Sequence, residues 1–131
     1  MIAVDTSALV AILRREPERA ALLAALTDSD RVFISPGTII EATVVAHRRG
    51  GPALVAELND LLAAIGVDLA PIEQADLHIA QSAIALYGKG SGHPAALNYG
   101  DLFSYALAKS RDVPLLYKGD DFVHTDIVTA A

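Results

Sequence analysis

Four acidic positions in the chain sit where surface solvation is not the easy explanation: Asp5, Glu41, Asp101 and the pair Asp120-Asp121. Asp5 closes the apolar run Ile2-Ala3-Val4 and is followed at once by Thr6, Ser7 and an apolar helical stretch. Glu41 is the one charged residue in Thr38-Ile39-Ile40-Glu41-Ala42-Thr43-Val44-Val45. Asp101 follows Asn98-Tyr99-Gly100 and opens another helical stretch, and Asp120-Asp121 come shortly after Leu115-Leu116-Tyr117. Each has a plain structural alternative. Asp is a favoured helix N-cap, which would account for Asp5 and Asp101. A Glu near a helix start complements the helix dipole, and two Asp after a strand make a polar turn. The joint pattern carries more weight. Carboxylates brought to one end of a sheet repel, and without a counter-charge they are protonated or destabilising. A hard divalent cation, Mg²⁺ or Mn²⁺, resolves this with oxygen ligands. Asp5, Glu41 and Asp101 are the expected metal-binding acids, and the chemistry that fits is hydrolysis of a phosphodiester.

The elements that must position these acids are legible in the pattern. Ile2-Ala3-Val4 predicts a first strand and Thr6 to Arg15 a helix with Ala8, Leu9, Ile12 and Leu13 on one face. Glu16-Pro17 breaks it, and Pro17 suits the start of a second helix through Leu26. Arg31 to Ser35 reads as a second strand. Thr38 to Arg49 reads as a third helix, ended by Gly50-Gly51, and Pro52 opens a fourth that stops at Gly66. Val67 to Leu69 is a short third strand. Glu73 to Tyr87 is a fifth helix with Leu77, Ala80, Ile84 and Leu86 expected to be buried. Gly88 to Pro94 is a glycine-rich loop, the one segment expected to be mobile. Leu102 to Ser110 is a sixth helix, Val113 to Tyr117 a fourth strand, and Asp126 to Val128 a short last strand. Strands alternating with helices predict an α/β fold with a mainly parallel sheet of four or five short strands and about six helices. Residues 1–131 form a single domain, with no repeat or linker. A parallel sheet places the four acidic positions at one edge, outside the carboxyl ends of the strands.

Composition narrows the classes. The chain is 53% hydrophobic and 20% charged, with no Trp and few other aromatics, so its core must be aliphatic. Cysteine is absent, which excludes disulfides, thiolate metal sites and a Cys nucleophile. No apolar run reaches the ~18 residues of a membrane span, and Met1 leads straight into the first strand without a signal-like segment. A cytoplasmic protein is expected. The net charge of −6 argues against non-specific electrostatic binding of nucleic acid, but not against an enzyme acting on it through a metal. Arg14-Arg15, Arg48-Arg49, Lys89 and Lys118 are the basic supply for phosphates. His47, His78, His93 and His124 lack metal-ligand spacing. Lys89 precedes Gly90 without a Gly-Lys-Ser/Thr, so a P-loop fails, and no Gly-x-Gly-x-x-Gly follows the first strand. Asn98 and Tyr99 are placed to line the site or to brace its loop.

The runs Ile2 to Leu9, Asn98-Tyr99-Gly100-Asp101-Leu102-Phe103-Ser104-Tyr105-Ala106-Leu107-Ala108 and Leu115 to Phe122, with Glu41 in its apolar helix, resemble a PIN-domain nuclease. Within that family the chain is most similar to the VapC toxins of bacterial toxin–antitoxin pairs. The resemblance spans essentially the whole chain and implies a PIN-like fold and a Mg²⁺- or Mn²⁺-dependent endoribonuclease acting on RNA. It also implies a homodimer held inactive by a VapB-like antitoxin. By this match Asp5 and Asp101 are the principal metal acids, Glu41 the helix-borne Glu, and Thr6 or Ser7 the hydroxyl beside the first Asp, with Thr6, Ser7 and Asn98 facing substrate. The fourth acid departs from the pattern: many PIN domains carry Asp three residues before the Phe, where this chain has Gly119. Asp120 or Asp121 replaces it, with Asp120 preferred. Two other readings compete. A phosphatase or phosphotransfer domain wants a second Asp two residues after Asp5, where Ser7 stands, or an Asp after the third strand, where Ala70-Pro71 offers none. A non-catalytic PIN-like interaction module would be expected to have lost some of the acids at 5, 41 and 101.

Overall fold

The computed structural model describes residues 1–131. Its elements in chain order are β1 (Ile2–Val4), α1 (Thr6–Leu13), α2 (Arg19–Asp28), β2 (Val32–Ile34), α3 (Pro36–Ile65), β3 (Asp68–Leu69), α4 (Gln74–Tyr87), α5 (Tyr99–Arg111) and β4 (Leu115–Leu116). The four strands form one parallel sheet in the order β3-β2-β1-β4. The expected α/β class and parallel sheet are therefore present. β1 is central, and the chain leaves it first to β2 on one side and only later to β4 on the other. That reversal opens a crevice at the carboxyl ends of β1 and β4.

Alternation along the strands divides the core in two. Ile2, Val4, Val32 and Ile34 face α1, α2 and α3, where Leu9, Ile12, Leu22, Leu26, Leu58 and Leu62 complete one apolar layer. Ala3, Phe33 and Leu115 face the opposite way, toward α4 and α5, with Ala83, Tyr105, Leu107 and Phe122. The aliphatic composition is visible here: small Ala residues at 42, 46, 83, 106 and 108 let the helices close on the sheet.

Three local expectations change. The two helices foreseen on either side of Gly50-Gly51 are two segments of α3. Gly51 takes φ 65°, ψ −157°, and Pro52, lacking an N–H, starts the second segment at that kink. Five helices result rather than six. The last strand is reduced to an edge pairing one residue further on. Leu115 N–H donates to Val128 O and Ala130 N–H to Leu115 O, both at 2.9 Å. On α4 the expected buried face is wrong. Leu77, Ile84 and Leu86 are each more than half exposed, and Ile79, Ala83 and Tyr87 face the core instead. Both sets have helical spacing; the small Ala83 is what allows α4 to lie close against α5. At the base of the glycine-rich loop, Leu97 N–H donates to Tyr87 O (2.8 Å) and Lys89 N–H to Leu97 O (2.9 Å).

Candidate active site

β1 stops at Asp5 because the next residues begin a helix. Asp5 has extended backbone (φ −95°, ψ 157°) and caps α1, its Oδ2 accepting from Ser7 N–H at 3.0 Å and from Ser7 Oγ at 2.6 Å. The capping alternative is thus real, but it does not exhaust the residue. Oδ1 accepts from Ser104 Oγ at 2.5 Å, and Ser104 Oγ lies 3.2 Å from Thr38 Oγ1. Ser104 and Thr38 are wholly buried and Asp5 is 4% exposed. A chain of hydroxyls from α3 and α5 therefore holds a buried carboxylate in one orientation. Ser7 closes the arrangement on the other side, accepting from Lys118 N–H at 3.0 Å and so linking the start of α1 to the segment after β4.

Asp101 combines the same two roles. Asn98 caps α5: its Oδ1 accepts from Asp101 N–H (2.9 Å), while Asp101 Oδ2 accepts from Asn98 N–H (3.0 Å). This reciprocal capping box fixes the carboxylate at the helix N-terminus. α5 runs back toward the start of β4, so that N-terminus lies at the carboxyl edge of the sheet, beside Asp5. Glu41, half-buried on α3, lies directly over Gly100; a Cβ there would fall on the Glu41 carboxyl. The glycine before Asp101 is what lets α3 and α5 bring two acids this close.

Asp5, Glu41, Asp101 and Asp121 line one cavity of about 390 Å³, with Thr6, Ser7 and Asn98. All the expected residues except one are brought together. Asp120, the preferred fourth acid, is not among the residues that line this cavity, whereas Asp121 is. Gly119 turns the backbone at φ 99°, and Phe122, fully buried against Tyr117 (ring centroids 5.1 Å), pins the chain immediately after Asp121. Thr6, Ser7 and Asn98, which line the cavity, also make hydrogen bonds within the protein. Thr6 Oγ1 reaches Thr38 O at 3.4 Å, and the Ser7 hydroxyl and the Asn98 amide oxygen are engaged in the hydrogen bonds above. Ser7 and Asn98 thus brace Asp5 and Asp101 while lining the cavity.

Sequence reasoning missed Ser104 and Thr38. Ser104 could have been found, since it falls three residues after Asp101 on the same helical face; Thr38 carries no comparable signal. Glu16 and Lys118 also line the cavity, as an ion pair that Glu18 joins at 2.9 Å. Ser104→Ala should cost about 1.5–3 kcal/mol, because a buried carboxylate loses a donor. Urea unfolding should show a lower midpoint with unchanged slope.

The electrostatics are strained. Burial pushes the Asp101 carboxyl up to about 7; the charges of Asp121 and Asp5 add to it, against the Asn98 N–H. Glu41 is raised as well, first by burial and then by Asp5 and Asp121, with the Thr6 hydroxyl partly offsetting them. No three acidic or histidine side chains close on a single point. Mg²⁺ keeps several waters and uses one or two carboxylates together with substrate phosphate. An all-oxygen donor set with excess negative charge fits such a cation.

A parallel sheet between helical layers, with carboxylates gathered at its switch point, defines the class. The PIN domain family model matches residues 2–128, and the chain belongs to that family. It is 43% identical over 128 residues to ribonuclease VapC30 of Mycobacterium tuberculosis (strain ATCC 25618 / H37Rv), a match covering 98% of this chain and 97% of the relative. It is 41% identical over 127 residues to ribonuclease VapC28 of the same strain, covering 97% and 96%. Among solved structures it is similar to the sarcin-ricin loop cleaving toxin VapC20 of M. tuberculosis, with TM-score 0.78, 16% identity, and 98% and 97% covered. It is also similar to VapBC2 from Rickettsia felis bound to a DNA fragment from their promoter, with TM-score 0.75, 14% identity, and 98% and 96% covered. These two likenesses show the fold.

Proposed function

We propose that the chain is a metal-dependent endoribonuclease, the toxin of a VapBC-type toxin–antitoxin pair, cleaving RNA phosphodiester bonds by hydrolysis. The observation that carries this is the gathering of Asp5, Glu41, Asp101 and Asp121 around one cavity in a PIN-domain chain 41–43% identical to VapC ribonucleases. Its partners are RNA, a VapB-like antitoxin and a second copy of itself. No helix is long and apolar enough to cross a membrane.

One or two of these carboxylates, Asp5 and Asp101 foremost, would hold Mg²⁺ or Mn²⁺. When bound, such an ion activates water at neutral pH and neutralises charge on the phosphate. The protein supplies the rest. Ser104 and Ser7 fix both oxygens of Asp5, so that it does not reorient as charge changes in the site. The capping box does the same for Asp101. Arg49 lines the cavity and supplies positive charge for a phosphate beside the scissile bond, while Lys118 is held by Glu16 and Glu18. Asp101, which titrates near pH 7, carries a proton in acid that a cation must displace. Mn²⁺ affinity measured by calorimetry should therefore rise with pH up to about 7 and then level off. Below pH 7 it should fall by up to about tenfold per unit, with proton release on binding.

The proposal is tested by incubating the purified protein with total bacterial RNA in Mg²⁺, Mn²⁺ or EDTA. Discrete products with either metal and none in EDTA are expected. No cleavage in any condition, and no heat of metal binding, would leave a non-catalytic interaction module.

A further inference from the structure

The pocket acids are not held alike. Asp5 and Asp101 are fixed through their own carboxyl oxygens, by Ser7, Ser104 and the Asn98 N–H. Asp121 accepts from no hydroxyl or backbone N–H, so its place in the pocket depends on how the backbone around it is fastened. Phe122 anchors one end of that segment. Gly119, at φ 99°, is a permissive link inside it. The other end is Lys118, whose N–H donates to Ser7 Oγ at 3.0 Å. Its ammonium pairs with Glu16 and, at 2.9 Å, with Glu18. Both partners come from the connection between α1 and α2, and Glu16 is well anchored there. Its N–H donates to Ala11 O at 3.0 Å, its carbonyl accepts from Arg19 N–H at 2.9 Å, and its Oε1 lies 3.4 Å from Arg14 Nη1. Arg15, just before it, takes φ 54°, a backbone conformation uncommon for a residue other than glycine. The chain turns there, and Glu16 reaches the wall of the carboxylate pocket.

We propose that Glu16 is a positioning residue for Asp121: through Lys118 it grips the segment after β4 and holds the fourth acid in the pocket. The inference rests on the ribonuclease reading above and deepens it. Glu16 lines the pocket, yet both of its carboxyl oxygens face cations, Oε1 Arg14 and Oε2 Lys118. That arrangement suits a grip rather than a metal ligand. The pairs are partly exposed, and ion pairs of this kind contribute little to folding. Their effect is therefore local. Catalysis is sensitive to it, because a displacement of about 1 Å in a reacting group can cost a hundredfold in rate.

The test compares the full chain as wild type, Glu16→Gln, Lys118→Arg, Asp121→Asn and the double variant Glu16→Gln/Asp121→Asn, each shown to be folded by circular dichroism. The substrate is a short RNA spanning a site that wild type cleaves in total bacterial RNA with Mg²⁺. Glu16→Gln should lower kcat about tenfold and leave KM within about twofold. Lys118→Arg, which keeps the charge, should retain kcat. In the Asp121→Asn background the Glu16→Gln change should cost less than about twofold, since residues acting as a unit are not additive. A second readout needs no metal or RNA. Amide exchange at Lys118, followed by NMR in the metal-free chain, should quicken about threefold to fivefold in Glu16→Gln and stay unchanged in Lys118→Arg. Unchanged kcat or unchanged exchange in Glu16→Gln overturns the proposal while the ribonuclease reading stands. A full tenfold further loss in the Asp121→Asn background also overturns it, because Glu16 then acts on the reaction directly. If wild type cleaves no RNA, the ribonuclease reading fails; quickened exchange then still upholds the grip, and unchanged exchange removes it.

Discussion

Asp101→Asn should make the metal-free protein more stable at pH 8 and nearly inactive. The side chain sits at the N-terminus of α5 with its proton affinity raised to about 7 from an ordinary 3.8. The folded state therefore holds a proton that the unfolded chain has released, and stability falls as pH rises from about 4 to about 7. Above pH 7 the full penalty of a buried charge beside Asp5 and Asp121 is present; below about pH 4 it is absent. Asn keeps an oxygen for the Asn98 N–H and cannot ionise. The melting temperature at pH 8 should rise by about 5 °C, corresponding to about 1–3 kcal/mol after allowance for solvent access to the pocket, and the gain should vanish at pH 4. RNA cleavage should fall by about a hundredfold or more, on the scale of losing one charge-stabilising group from an active site. Stability and activity moving in opposite directions is the signature of groups crowded together for function. Equal melting temperatures at pH 8 would mean that the pocket carries no such strain.

Phe122→Ala should have the largest effect on folding. The ring is 1% exposed and packs against Tyr117 in the layer beneath α5. Removing it costs about 3–5 kcal/mol, about 10–20 °C in melting temperature for a chain of this size. It also releases the anchor next to Asp121, so cleavage should drop even well below the new melting temperature. The neighbouring acids separate the two consequences. Asp120→Ala should change neither stability beyond about 0.5 kcal/mol nor cleavage, whereas Asp121→Asn should leave folding intact and impair cleavage. The reverse result for the two Asp residues would return the fourth acid to Asp120.

The strands and the acids at 5, 41 and 101 were legible because period and punctuation are local: an apolar run halted by Asp5, a lone Glu41 among apolar neighbours, Asp101 after a glycine. What was not legible depends on the third dimension. Asp120 and Asp121 differ only in how Gly119 turns the chain, and no pattern in sequence encodes that φ. On α4 two apolar stripes share the helical period, and only the approach of α5 selects Ala83 over Leu77 and Ile84. The Ser104–Thr38 hydroxyls read as neutral residues until the fold carries residues 5, 38 and 104 into contact. The cap role of Asp5 and Asp101 does not compete with a site role, since the capping bonds leave each carboxylate beside the cavity.

The central claim is that the carboxylate pocket is the ribonuclease centre. It is tested most directly by mapping the 5′ ends generated from total bacterial RNA in Mg²⁺ by wild type and by Asp5→Asn, each shown to be folded. Discrete ends at one or a few positions, produced by wild type alone and lost in EDTA, are predicted. The same ends from Asp5→Asn at wild-type rate would contradict the account, because no cleavage centred on this pocket survives loss of the carboxylate around which it is built.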